Sequence, residues 1–211
     1  MVSVPSRPDS ATSDQRGAIL TAAIGIVQNE GAAALTVRNV AAAAGCSTTG
    51  VYTYFGGKDG LVDAIFVDGF ERFDAALEKA ADHAPDPMQC LLLTGQTYRA
   101  WALANPTQYQ VMFTRAIPDF YASEPALARA LQSFEALVGR VSRAIESGDL
   151  DAGDPHELAM HVWATVHGYV MLELMQMQPP IAPEPSSTYT AGLARVFDGL
   201  RPIPSREVSA P

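Results

Sequence analysis

The chain has 211 residues, 48% of them apolar, and a formal net charge of −9. That length fits one large or two small domains with a sizeable core, and no run approaches the ~18 unbroken apolar residues of a membrane span. Its two cysteines, Cys46 and Cys90, supply neither a metal cluster nor a disulfide framework, which fits a reducing compartment.

Residues 1–12 are rich in Ser and Pro and are expected to form a disordered tail. Met1–Ser13 lacks the hydrophobic segment of a secretion signal, which points to the cytoplasm. Ser13 is placed to cap a first helix over about 14–30, with Ile19, Leu20, Ala23 and Val27 as its buried stripe and Gly31 as its stop. Thr36 then caps a short helix whose apolar positions are Val37, Val40, Ala41 and Ala44. Gly45 ends it, because glycine enters the left-handed conformation without steric cost. Ser47 caps a third helix with Val51 and Phe55 on its inner face. Two helices across a glycine turn form a helix-turn-helix, whose second member enters the DNA major groove.

The outer face of that third helix carries Ser47, Thr48, Thr49, Gly50, Tyr52 and Thr53, which are small or hydroxyl-bearing and suit close approach to phosphates and base edges. Lys58 follows Gly56-Gly57 at the start of the next helix, a position suited to clamping a phosphate. The string Gly45-Cys46-Ser47-x-x-x-x-Tyr52-x-Tyr54-Phe55-x-x-Lys58-x-x-Leu61 resembles the DNA-binding signature of TetR-family transcriptional repressors. The resemblance implies an all-α homodimer with a three-helix DNA-binding head and a ligand-binding body. It matches Thr36, Ser47, Tyr54 and Lys58 to phosphate-contacting positions, and Thr48, Thr49, Gly50 and Tyr52 to groove-facing ones. Thr48 stands where the family often has a basic residue, Thr49 where it often has glycine, and Gly50 where alanine or a small hydroxyl residue is usual.

Charge is unevenly spread. Residues 1–58 hold four basic and three acidic side chains, whereas the rest of the chain holds ten and twenty. The head is spared the acidity of the body, but it is far less basic than a strong nucleic-acid reader, so motif rather than charge supports DNA binding.

Helix four is expected from Lys58 to Asp82, lined by Leu61, Ile65, Phe66, Phe70, Phe73 and Leu77, and long enough to couple head and body. Helix five, over about 87–104, carries Leu91, Leu92, Tyr98 and Trp101, and Asn105-Pro106 restarts a sixth through Tyr109, Met112 and Phe113, ended by Pro118. Helix seven, over about 124–147, is expected to turn Leu127, Ala130, Leu131, Phe134, Leu137, Val138, Val141 and Ile145 inward. Asp154 and Pro155 open helix eight, apolar on almost every side from Leu158 to Met177 and so expected to be buried on more than one face. Pro179, Pro180, Pro183 and Pro185 read as a linker to helix nine over about 187–200, and the tail from Pro202 as loose. The domains expected are a tail over 1–12, a helix-turn-helix domain over 13–58, a six-helix ligand-binding and dimerisation bundle over 59–200, and a flexible tail over 201–211.

Enzymatic motifs fail on inspection. Gly45-x-x-x-x-Gly50 continues as Val51-Tyr52 rather than the Lys-Ser/Thr of a phosphate-binding loop, and the same stretch has one residue too many after Ser47 for a nucleophile elbow. Glu157 and His161 share a helix face without a third metal ligand at suitable spacing, so a solvated pair accounts for them. No cofactor and no metal are implied.

Two phrases of the body extend the resemblance. Tyr98-Arg99-Ala100-Trp101 through Pro106, with Tyr109 and Met112-Phe113, is similar to the body of many TetR-like regulators. Trp163-x-x-x-His167-Gly168 resembles the Trp-x-x-x-His-Gly pattern of one subgroup of TetR-like C-terminal domains. Trp163 and His167 share a helix face, where His167 reads either as a core histidine or as a ligand contact. The ligand pocket is expected among helices four to eight, lined by Phe70, Tyr98, Trp101, Tyr109, Met112, Phe113, Phe134, Trp163 and His167, and suited to an apolar or aromatic ligand. The other face of helix eight (Leu158, Val162, Thr165, Tyr169, Leu172) and helix nine are expected to form the dimer interface. The expected function is that of a repressor released from a palindromic operator by such a ligand. Two rivals remain at this stage: a helical small-molecule binder or enzyme without operator binding, and a TetR-like activator.

Overall fold

The computed structural model describes residues 9–114, 116–117, 120–177 and 184–202, with backbone alone for 9–13. The described residues form nine α-helices and no strand: α1 (Asp9–Glu30), α2 (Val37–Ala43), α3 (Thr48–Phe55), α4 (Lys58–Ala81), α5 (Pro87–Ala104), α6 (Pro106–Phe113), α7 (Glu124–Glu146), α8 (Pro155–Leu174) and α9 (Pro185–Gly199), with a 3-10 turn at Ala32–Ala34. The expected all-α fold, a helix-turn-helix head followed by a helical bundle, is the one observed.

The chain divides into two compact units, one of residues 1–70 and 107–129, the other of 71–106 and 130–211. α4 gives its first half to the first unit and its second half to the other. The first unit extends beyond the expected 13–58 because α6 packs on the first half of α4. Phe70 meets the Phe113 ring edge-on at 5.4 Å, the Asp68 carboxylate accepts a hydrogen bond from Gln108 Nε2 at 2.8 Å, and Gly69 leaves room for the Met112 side chain. Asp63 adds a bond by accepting from the Ser123 amide at 3.0 Å.

In the first unit α1, α2 and α3 enclose Ile19, Ala23, Ile26, Val27, Leu35, Val40, Val51 and Phe55, all buried. Each of the expected inward positions of α4, from Leu61 to Leu77, is buried as well. In the second unit α5, α8 and α9 pack together. Arg99 of α5 makes a two-pronged pair with Glu173 of α8, Nε to Oε2 at 2.8 Å and Nη2 to Oε1 at 2.6 Å. Its guanidinium also lies 5.7 Å from the ring centre of Tyr189 on α9, whose hydroxyl donates to the Gly95 carbonyl of α5. Tyr169 of α8 lies so close to Gly192 of α9 that a Cβ there would come within 2.4 Å of the ring.

Three expectations need correction. α1 starts at Asp9, so 9–12 are helical and Ser13 lies inside the helix instead of capping it; Asp9-Ser10-Ala11-Thr12 contains no residue that breaks a helix. α9 takes Pro185 from the expected linker as its first residue, where a missing amide costs nothing, and Glu184 caps it by accepting from the Ser187 amide at 3.0 Å. Hydrogen bonds from Ser186 and Ser187 hold that carboxyl down at about 2.

On α7, Val138 and Val141 are buried as expected, and Arg140 and Ala144 with them, but Leu127 and Leu131 are exposed. The reason is polar anchoring to α4: Ser133 donates to Asp74 at 2.5 Å and the Arg140 guanidinium pairs with Glu78, so the face carrying those two side chains turns inward. On α8, Leu158 and Val162 are buried within the chain itself, Thr165 and Tyr169 are half-buried, and Leu172 is exposed. Pro118, Pro179, Pro180 and Pro183, most of the expected tail over 1–12 and residues 203–211 lie outside the described residues.

Candidate nucleic-acid interface and effector site

The turn between α2 and α3 is built by backbone bonds. Gly45 takes φ 64°, its amide donates to the Ala42 carbonyl, and the Cys46 amide donates to the Ala41 carbonyl at 2.9 Å, the pair of bonds that closes a helix in a left-handed glycine. Thr36 Oγ1 accepts from the Asn39 amide and Ser47 Oγ from the Gly50 amide, each at 3.1 Å. Both residues expected at phosphate are therefore helix caps too, and being exposed they keep their outer side toward solvent.

From this frame Thr48, Thr49, Tyr52 and Thr53 project into solvent, and Gly50 and Tyr54 are half-buried. Tyr52 is 57% exposed, with its ring resting against Gly57. Thr53 Oγ1 donates to the Thr49 carbonyl at 2.9 Å, which lowers its own freedom to reach a base. The Tyr54 hydroxyl donates to Gln15 Oε1 of α1 at 3.4 Å. Lys58 opens α4 and is exposed. All eight residues expected to read DNA thus belong to one unit, on α2, α3 and the first turn of α4.

Two α1 residues that support this surface were not anticipated. Gln15 positions Tyr54, and Arg16 places its guanidinium 5.0 Å from the centre of the Phe55 ring. Their roles depend on α1 packing against α3 across some 39 residues of sequence, which no local spacing reveals.

The nine expected ligand contacts separate by unit. Phe70, Tyr109, Met112 and Phe113 belong to the first, where Phe66, Phe70, Phe113 and Tyr109 form successive ring contacts between 4.7 and 5.4 Å. Tyr98, Trp101, Phe134, Trp163 and His167 belong to the second. There Phe73 meets Trp101 and Tyr98 edge-on at 5.2 and 5.1 Å, the Tyr98 hydroxyl bonds to His167 Nδ1 at 3.2 Å, and His167 stands 5.5 Å from Trp163, which in turn meets Phe134 at 6.0 Å. Phe73 and Tyr98 are buried, whereas Trp101, Phe134, Trp163 and His167 are half-open. Burial pushes the His167 imidazole below its ordinary value, so the ring is neutral at physiological pH. The result is an aromatic surface with one neutral polar pair and no charged side chain in the string. Glu157 and His161 lie 3.9 Å apart on the open surface of α8, away from this string.

Comparison with known proteins places this arrangement. A model described as bacterial regulatory proteins, TetR family, matches residues 19–65, and a model described as tetracyclin repressor-like, C-terminal domain, matches residues 91–196. The chain belongs to the TetR family. It is 24% identical over 129 residues to the HTH-type transcriptional regulator Rv1816 of Mycobacterium tuberculosis, a match covering 60% of this chain and 55% of that protein. The match thus spans little more than half the length of that curated relative. A solved protein of Rhodococcus sp. RHA1 superposes with a TM-score of 0.79 at 26% identity, covering 89% of this chain and 96% of that one. The TetR-family regulator PfmR of Thermus thermophilus has the same fold, with a TM-score of 0.62 at 20% identity over 87% of this chain and 99% of that one. The eight residues expected to contact DNA lie in the N-terminal match, while the Tyr98–His167 string lies in the second unit and within the C-terminal match except for Phe73. No helix among the described residues is long and apolar enough to cross a membrane.

Proposed function

We propose that this TetR-family chain acts as a dimeric transcriptional repressor that binds a palindromic operator through α3 and is released by a neutral apolar or aromatic effector held in its second unit. The observation that carries the DNA-binding part is the solvent-facing set Ser47, Thr48, Thr49, Tyr52 and Lys58, on the capped helix α3 and at the start of α4. Its hydroxyls and the Lys58 ammonium suit phosphates and base edges. The Trp163, His167 and Gly168 pattern supports assignment to the Trp-x-x-x-His-Gly subgroup. The string from Trp101 to Phe134 supports the effector part, because stacked rings with one neutral polar pair favour an uncharged arene. No metal or cofactor enters this reading.

The dimer follows from specificity, since one head makes too few base contacts to select a site. Duplexes bearing an inverted repeat with half-site centres about 34–36 Å apart, or a multiple of that, should bind cooperatively with two chains per site. Fluorescence anisotropy with light scattering tests it. A monomer that binds one chain per duplex, at any spacing, would rule the proposal out.

Lys58→Ala should weaken all duplexes alike and reduce the salt slope of log K by about one unit. The ammonium is assigned to phosphate, which carries no sequence information. A changed sequence preference with an unchanged slope would instead put Lys58 on a base.

A further inference from the structure

Residues 14–58 contain three basic side chains, Arg16, Arg38 and Lys58, against Asp14 and Glu30. With so little positive charge, attraction to a phosphate backbone depends on where each cation is held. Arg16 lies on α1, outside the helix-turn-helix, yet it is tied to the end of α3. Its guanidinium stands 5.0 Å from the centre of the Phe55 ring, while Gln15 beside it accepts from the Tyr54 hydroxyl at 3.4 Å. Two consecutive residues of α1 thus hold two consecutive residues of α3. Lys58 opens α4 three residues after Phe55.

The ring is enclosed and the cation is not. Phe55 is 9% exposed, whereas Arg16 is exposed. Among the described residues Arg16 forms no ion pair, unlike Arg99, Arg140 and Arg201. A ring face attracts a guanidinium and restrains its long side chain without supplying an oxygen acceptor, so the N–H donors are left for water or for phosphate oxygens. Part of the ordering cost of a phosphate contact is then met before DNA arrives, and the planar fork of donors matches a phosphate.

We propose that Arg16 is a phosphate contact of the DNA interface, held on the Phe55 ring beside Tyr54, which brings α1 into the surface formed by α2, α3 and the first turn of α4. This rests on the DNA-binding reading given above and extends its footprint to a residue outside the string from Thr36 to Lys58.

The test uses the full chain and mixed-sequence duplex DNA, since a phosphate contact carries no sequence information. Arg16→Met keeps a long stem on the Phe55 ring but removes the charge. It should lower the salt slope of log K by about one unit per bound chain and weaken binding roughly fivefold per chain at about 0.15 M salt, with the helical circular dichroism signal retained. Arg16→Lys keeps the charge and should keep the slope. Arg201→Met removes a cation of the second unit that pairs with Asp198, and should leave the slope unchanged. An Arg16→Met slope equal to that of the parent overturns the proposal even if affinity falls, because a packing role alone releases no counterions. A slope that falls equally in Arg16→Lys, or an Arg16→Met chain that loses its helical signal, assigns the guanidinium to the packing of Phe55 and overturns it as well. If Arg201→Met lowers the slope as much as Arg16→Met, the effect belongs to net charge and the contact is wrong. A parent protein that binds no duplex even at low salt removes the DNA-binding reading itself.

Discussion

Gly45→Val should lower the unfolding free energy of the N-terminal unit by roughly 2–3 kcal/mol and remove measurable duplex affinity, whereas Gly45→Asn should stay within about 1 kcal/mol of the parent. The argument is conformational. Gly45 sits at φ 64°, and a Cβ there meets nothing within 4 Å, so the substitution meets no steric neighbour and its whole cost lies in the backbone. Valine is branched at Cβ and enters the left-handed region at high cost, while asparagine enters it readily. If the chain escapes the strain by changing φ, the Gly45 and Cys46 amides lose their bonds to Ala42 and Ala41, and α3 swings relative to α2. Urea unfolding and duplex anisotropy on the three proteins check this. Equal loss in the valine and asparagine variants would point to the side chain, not to the backbone angle.

How much of this structure can be read ahead depends on how local each feature is. The turn and its two caps are encoded within some 20 residues, so the glycine, the caps and the exposed face of α3 are all visible in the string from Thr36 to Lys58. The buried stripe of α4 is visible for the same reason, since Leu61, Ile65, Phe66, Phe70, Phe73 and Leu77 recur at helical spacing. The phase of the first half of α7 is not. Its most apolar stripe includes Leu127 and Leu131, yet those face solvent because Ser133 and Arg140 find carboxylates on α4. A hydrophobic count assigns a buried arginine to the surface, and only the tertiary partner reverses that assignment.

α8 defeats the reading in another way. A helix apolar on every side has no phase to read, so nothing in the sequence tells the stripe of Leu158 and Val162, packed inside the protomer, from the stripe of Ala164 and Leu172, left open. The aromatic residues of the body are legible as a set but not as a network. Tyr98 and His167 are 69 residues apart, and Arg99 and Glu173 are 74 apart, so their pairings exist only once α5 and α8 have packed.

The pair on α4 and α7 gives the second large effect, and its two partners should behave unequally. Arg140 is 3% exposed and Glu78 59% exposed, so the cation is enclosed while its counter-charge still touches water. Glu78→Ala leaves an enclosed guanidinium without its carboxylate and should cost about 2 kcal/mol, below the 3–5 kcal/mol of a fully enclosed pair because solvent screens the outer partner. Arg140→Met removes the charge instead, fills much of the same space with an apolar chain, and leaves only an exposed carboxylate, so it should cost about 1 kcal/mol or less. The double variant should then resemble Arg140→Met alone, since Glu78 has nothing left to neutralise. Ordinary surface salt-bridge behaviour predicts no such asymmetry, with both single variants below about 1 kcal/mol and equal. Equilibrium urea unfolding of the four proteins decides between them. An Arg140→Met chain less stable than Glu78→Ala would mean that α7 is held by the length and shape of the arginine stem, and that the ion pair contributes little.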